Sequence, residues 1–314
     1  MLRELTTSVA RAAWIRKAAV STPGLRDLAW RFIAGEDLDA AVQVARALNA
    51  RGLSATLNYV GTHVRSAAEA IAAGDAAVAS LHRIRRDGLR ANVSVKLTHL
   101  GLDVDEALAR AQLARVLDAA RATEGFVRID MEESPYVDRT LRIFDDARRC
   151  HGDATVGVVL QAYLRGREGD VGRLASTGAA IRLVKGGYWE DAQVVHRKPA
   201  AIDAAYARGL EALLASGARA AVATHDPAMI ARARRLAADA GRPPGAFELQ
   251  LLYGVRPDLA AHATRAGVPV RLYVPYGARW YEYALGCIRR MPAAALKRIS
   301  ARSLAAFPDG AEGG

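Results

Sequence analysis

Eight short runs of aliphatic and β-branched residues, spaced by Ala/Leu/Arg-rich stretches, constrain this chain more than any other feature. They are SATLNYV (54–60), ANVSVKL (91–97), FVRIDM (126–131), VGVVLQAY (156–163), AIRLVKG (180–186), RAAVATH (219–225), FELQLL (247–252) and VPVRLYV (268–274). Between them stand helical patterns such as DEALARAQLARVLDAARA (105–122), DRTLRIFDDARR (138–149), AAIDAAYARGLEALLASG (200–217) and PAMIARARRLAADAG (227–241). Parallel strands need crossovers of about a dozen residues, and each stretch is long enough to make one. Eight such units in unbroken rhythm predict an α/β chain folded as a single (β/α)8 barrel.

The rhythm begins near residue 51, which leaves additional N-terminal helices over 1–50, the barrel over 51–292 and a C-terminal tail over 293–314. With 314 residues, 51% of them hydrophobic, one large core is admissible. Two cysteines, Cys150 and Cys287, form no CxxC pair and suit a reducing cytoplasm. No apolar run reaches the roughly 18 residues of a membrane span, so the expectation is a soluble, cytoplasmic protein.

A net charge of +11 invites a nucleic-acid reading, but the distribution opposes it. Arginines are scattered through helical segments such as ARALNARG and RIRRDGLR without aromatic interleaving, which predicts solvated helix faces and no nucleic-acid partner. In SVARAAWIRKAAV (8–20), Trp14 and Ile15 lie near Arg11, Arg16 and Lys17. That pattern fits peripheral contact with anionic lipid as well as an ordinary packed surface helix.

Active sites of such barrels stand at the C-terminal ends of the strands, and here those ends are polar. In order they carry Asn58 and Thr62, Lys96 and Thr98, Asp130 and Glu132, Gln161 and Tyr163, Arg182 and Lys185, Thr224 with His225 and Asp226, Gln250 and Tyr253, then Tyr273 and Tyr276. Buried charges are costly unless they are paired or face a polar ligand, so the set marks a site.

Metal chemistry is set aside, because the seven histidines show no HxxH or HExxH spacing and only His225 falls in a polar strand-end cluster. GxSxG and GxGxxG are also missing. What remains is a cation-rich mouth, RLVKGGYW (182–189) above all, in which Gly186-Gly187 permits close backbone approach. It suits a planar, phosphate-bearing, electron-accepting cofactor. A Schiff-base lyase on Lys185 or Lys96 needs a strand-end lysine too, and a non-catalytic basic barrel that binds anions is the third reading.

The motifs SVKLTHLGLD, RIDMEES, RLVKGGYW, ATHD, FELQLLYG and YVPYGARWYEY, in this order over about 40–285, resemble the proline dehydrogenase family of flavin-dependent barrels. The resemblance implies noncovalent FAD, oxidation of a small amine or amino acid by hydride transfer to flavin N5, and reoxidation by a quinone-type acceptor. It places Met131, Gln161, Arg182, Lys185, Gly187, Lys198, Thr224 and His225 on the cofactor, and Lys96, Asp130, Leu252, Tyr273 and Tyr283 around the substrate.

Two positions depart from the family pattern. The motif Tyr-x-x-Arg-Arg-x-x-Glu, whose arginines grip the substrate carboxylate, reads here from Tyr283 with Gly286 and Cys287 at the arginine positions and Arg290 at the glutamate. The glutamate expected after the first strand, which pairs with the first arginine, is Thr62. Both members of one ion pair are absent together, which leaves no lone buried charge behind. Helical spacing returns Arg290 to the face of Tyr283, one turn farther along, where it offers a single replacement contact beside Lys96. The substrate expected is therefore proline or another cyclic or secondary amine. A three-residue insertion that re-registers Arg289 and Arg290 is the alternative.

Overall fold

The computed structural model describes residues 30–280 and Tyr283. Eight parallel strands close on themselves in sequence order. They are β1 (Ser54–Tyr59), β2 (Ala91–Val95), β3 (Val127–Ile129), β4 (Val156–Gln161), β5 (Ala180–Val184), β6 (Ala220–Ala223), β7 (Phe247–Leu252) and β8 (Val270–Tyr276). The closing pair, β1 with β8, runs in register from Ser54 opposite Arg271 to Tyr59 opposite Tyr276.

The helices are α1 (Leu38–Ala50), α2 (Ala67–Arg86), α3 (Glu106–Ala122), α4 (Val137–His151), α5 (Glu168–Ala175), α6 (Pro199–Ala215), α7 (Pro227–Asp239) and α8 (Pro257–Arg265). Their starts follow local chemistry. Asp37, Ser66, Asp105 and Asp226 accept backbone N–H groups at the first turns of α1, α2, α3 and α7. Proline opens α6, α7 and α8, where a missing N–H costs nothing. The strands are buried on both faces, as a parallel sheet under helices requires, with Leu57, Ile129, Leu183, Val222 and Leu249 fully enclosed.

The barrel expected from the sequence is thus present, with α1 packed against β1 and β8 as part of the helical region before it. Residues 1–29, which include the basic segment 8–20, and the tail 293–314 lie outside the described residues, as do Gly286, Cys287, Arg289 and Arg290. No helix among the described residues is long and apolar enough to cross a membrane.

Several strands end sooner than their sequence runs. β2 stops at Val95, β3 at Ile129, β5 at Val184 and β6 at Ala223, so Lys96, Asp130, Lys185, Thr224 and His225 open the loops that follow. Their side chains have partners off the ladder, described below, and the chain bends where they point.

Below the mouth the interior is polar. Arg271 donates to Glu248 at 2.8 Å and to the Ala55 carbonyl at 2.7 Å. Glu248 also accepts from Gln250 at 2.6 Å. Lower still, Arg128 donates to the carbonyls of Val158 and Ala180 and lies 4.8 Å over the Phe126 ring. This ladder of paired charges supports the site from beneath.

Candidate active site

Register determines which side chains meet at the mouth. In an eight-stranded barrel of this shear, alternate strands contribute side chains at one height, one residue further along for each strand passed. Carrying the pairings to the strand ends puts Asn58, Asp130, Val184 and Leu252 in one layer from the odd strands. Lys96, Gln161, His225 and Pro275 form the matching layer from the even strands.

Asp130 is the centre of the upper layers. Its Oδ1 accepts from Arg182 Nη1 at 2.9 Å and Ser94 Oγ at 2.5 Å, and its Oδ2 from Tyr273 Oη at 2.7 Å and Lys96 Nζ at 3.4 Å. Burial alone would raise this carboxyl; Lys96 and Arg182, then the hydrogen bonds from Ser94 and Tyr273, outweigh it and hold Asp130 below the ordinary range. Tyr273 is pushed well above 10, first by burial and then by the Asp130 charge beside it, so it stays a neutral donor. Tyr283 is close enough to Tyr273 to add to that shift.

Arg182 is fixed from two sides. Nε donates to Gln250 at 2.5 Å, Nη1 to Asp130, and the guanidinium lies 5.5 Å over the Tyr273 ring. The third nitrogen, Nη2, is buried and has no hydrogen-bond partner among the described residues. A buried donor left unmade is costly, so the site is built for an acceptor that the described residues do not supply.

The β5 loop carries the second cluster. Lys185 Nζ donates to Asp203 at 2.5 Å and Asp226 at 2.7 Å. Partial burial lowers the lysine, but the two carboxylates more than reverse this and leave its pKa raised. Gly186 has φ +122°, and a Cβ there would sit 2.2 Å from the Tyr163 ring. Backbone can therefore approach here as no other residue would allow. Gly187 follows, partly buried, in the same turn.

On β6, His225 Nε2 accepts the Leu252 N–H at 3.0 Å, which leaves the proton on Nδ1 as a donor. Burial, with Arg256 nearby, lowers this imidazole to about 4, so it is neutral. Thr224 Oγ1 accepts from Asp226 N at 3.2 Å. Gln161 Nε2 donates to the Glu132 carbonyl at 2.8 Å, next to buried Met131.

The residues singled out from sequence therefore gather at the mouth, Lys96, Asp130, Arg182, Tyr273, Leu252 and His225, with Gln161 at the end of β4 and Met131, Lys185, Gly187 and Thr224 on the adjoining loops. Lys198 stands apart: it is exposed at the N-terminal cap of α6. Arg290 is outside the described residues. Ser94, which grips Asp130, was not singled out; it lies two residues before Lys96 on the same inward face, a period-2 signal.

A second cluster flanks the mouth. His63, in the loop after β1 with φ +50°, meets Asp103 at 2.7 Å and Glu133 at 3.6 Å. Its neighbour Glu132 is fully buried and takes two hydrogen bonds from Thr98. The sequence had pointed to His225 as the histidine in a polar cluster. Among the described residues, the group with metal-ligand spacing is instead His63, Glu132 and Glu133. Spacing in sequence missed it because two different loops supply it.

The sequence profile described as "Proline dehydrogenase" matches residues 41–280. The chain is 35% identical over 271 residues to proline dehydrogenase 1 of Bacillus subtilis strain 168, covering 86% of this chain and 89% of that protein. It is 35% identical over 260 residues to the proline dehydrogenase of Deinococcus radiodurans, covering 82% and 84%. The chain belongs to the proline dehydrogenase family. Among solved structures, proline utilization A from Bdellovibrio bacteriovorus, inactivated by N-propargylglycine, superposes with a TM-score of 0.79 at 24% identity. That match covers 89% of this chain, which spans about a third of the longer protein (33%). Proline utilization A from Corynebacterium freiburgense gives a TM-score of 0.72 at 22% identity, covering 98% of this chain and 35% of the other.

As a proline dehydrogenase family member, the chain is an FAD-dependent oxidoreductase. Its residues fit that cofactor. The orphaned Arg182 Nη2 asks for an acceptor, and the His225 Nδ1 donor is fixed by its neighbour. Arg182, Lys185, Gly187, Gln161, Thr224 and His225 are the residues that would hold it.

Proposed function

We propose that this chain oxidises the C–N bond of a cyclic secondary amine, proline or a relative whose acid group is placed differently. The observation that carries the reading is the four-way grip on Asp130, which gathers Lys96, Arg182, Ser94 and Tyr273 around one buried carboxylate under the mouth. Bound FAD supplies the hydride acceptor. A hydride leaves the carbon beside nitrogen, a C=N bond forms, and the amine N–H is released as a proton.

The chain's own groups position and desolvate. Asp130 remains anionic and orders Lys96 and Arg182. Tyr273 and Leu252 wall the pocket, with Tyr283 beside them. Lys96 Nζ has a single long contact, 3.4 Å to Asp130, so it can turn toward a substrate anion. The usual arginine pair is missing from positions 286 and 287, and the usual glutamate from position 62. The loop bearing Thr62 is pinned instead through His63 to Asp103 and Thr98. Loss of a bidentate carboxylate grip argues for a substrate whose acid is not essential to binding.

Lys185 speaks against a Schiff-base lyase. Held between two carboxylates with a raised pKa, it stays protonated and is a poor nucleophile. A quinone-type acceptor, and contact of the basic segment 8–20 with anionic lipid, complete the proposal. The test is a visible absorbance spectrum of protein purified with FAD, followed by anaerobic titration with L-proline and with pyrrolidine. Bleaching of the flavin band by either amine supports the reading; a flavin that both leave oxidised sinks it.

A further inference from the structure

The layer that carries Asp130 and Leu252 has a member with no assigned role. Asn58 occupies that layer on β1, only 2% exposed. It is opposite Pro275 on β8, a residue without a backbone N–H to offer. Its Nδ2 donates to the Ser94 carbonyl at 3.0 Å, which settles the orientation of the amide. Oδ1 then has no hydrogen-bond partner among the described residues and no access to bulk solvent.

The surroundings narrow what that oxygen awaits. One residue lower on the inward face, Thr56 satisfies itself by donating to Asn92. Ser94, whose carbonyl holds Asn58, turns its hydroxyl to Asp130. Tyr273 spends its hydroxyl on Asp130, and Lys96 reaches toward Asp130 and not toward Asn58. A buried amide oxygen that no donor among the described residues reaches marks the place of a donor brought from outside.

Resting on the function proposed above, we infer that Asn58 is a substrate-positioning residue whose Oδ1 accepts the N–H of the amine to be oxidised. The chemistry suits the task. A neutral amide oxygen binds an N–H without raising the amine's pKa as a carboxylate would, so the lone pair that must build the C=N bond stays available. It also fixes the ring about the C–N axis, with the Asp130 and Tyr273 side already occupied. Asn58 thus selects for a ring that bears an N–H, whatever its acid group.

The experiment compares pyrrolidine with tetrahydrofuran, the same ring with oxygen in place of N–H, on the FAD-loaded full chain. Binding is read as perturbation of the flavin spectrum, tetrahydrofuran directly and pyrrolidine through the concentration dependence of anaerobic bleaching. Asn58→Leu is expected to weaken pyrrolidine by about tenfold, the worth of one such hydrogen bond, and to leave tetrahydrofuran unchanged. Unchanged tetrahydrofuran binding and an unchanged melting temperature in Asn58→Leu guard against a variant that merely misfolds. Equal weakening of both rings in Asn58→Leu, or no change in either, would overturn the assignment. If wild-type flavin is left oxidised by pyrrolidine and L-proline alike, the function itself fails first, and that result is distinct from a loss confined to the variant.

Discussion

Arg182 on β5 donates to Asp130 at the end of β3 across 2.9 Å of barrel interior, where both side chains are almost wholly buried. Neither charge would be tolerable alone. The guanidinium is further secured by Gln250 and the carboxylate by Ser94, Tyr273 and Lys96, so the pair is the centre of a network that reaches five strands. Asp130 and Arg182 are each held from several sides, and such rigidity is what an oxidoreductase needs to hold a carbon over a flat acceptor.

Removing the anion should therefore damage more than one step. Asp130→Asn keeps the shape but leaves Arg182 and Lys96 without a counter-charge, at a cost on the order of 3 kcal/mol. The expected outcome is a lowered melting temperature together with a fall of about a hundredfold or more in the rate of flavin reduction under anaerobic mixing. A variant that reduces flavin at the wild-type rate would show that the network serves the fold alone.

The β5 turn makes a separate claim. Gly186 combines φ +122° with a would-be Cβ 2.2 Å from Tyr163, and Tyr163 Oη is itself tied to the Tyr188 backbone. Gly186→Ala cannot be absorbed without moving the loop that carries Lys185 and Gly187. Most of the bound flavin should be lost on gel filtration, with the far-ultraviolet circular dichroism of the barrel unchanged. Retention of a full complement of flavin would place the cofactor elsewhere.

The barrel and the polar mouth could be read from period and composition because each strand end is a local signal. The partners of those ends could not. Asp203, which shares Lys185 with Asp226, lies on α6, eighteen residues after the lysine on a helix whose pattern reads as ordinary amphipathic surface. The His63, Asp103, Glu133 cluster joins three loops, and no sequence spacing reports that. Asn58 was visible as a polar strand end, but its significance is an absence of partners, which only coordinates reveal.

Acid stability follows from two histidines. His99 and His225 are both lowered from 6.5 to about 4, by burial first and then by Lys96 near the former and Arg256 near the latter. The unfolded chain binds their protons more readily, so stability is full above about pH 6.5 and falls as pH drops toward 4. Each is worth on the order of 3 kcal/mol across that window. Urea denaturation at pH 7 and pH 4.5 should show the loss, and His225→Asn should flatten it. His63 has the opposite sign. Asp103, Glu133 and Glu132 raise its pKa against a lowering by burial, so its clamp helps below about pH 6.5 and fades as pH rises through the raised value. The melting temperatures of wild type and His63→Gln should converge at alkaline pH.

The absent grip can be put back. With Thr62, Gly286 and Cys287 where the family pattern has a glutamate and two arginines, the chain should treat L-proline and pyrrolidine alike, with kcat/KM values within about tenfold. Adding a single charge should not help, because Thr62→Glu alone or Gly286→Arg alone introduces one half of an ion pair without the other. The triple variant Thr62→Glu, Gly286→Arg, Cys287→Arg supplies both halves of the ion pair and a bidentate site for the substrate acid. It should raise kcat/KM for L-proline about a hundredfold while leaving pyrrolidine nearly unchanged, since only the former presents a carboxylate to the fork. If wild type already favours L-proline over pyrrolidine by that factor, Arg289 and Arg290 stand in register at the mouth and the grip was never lost.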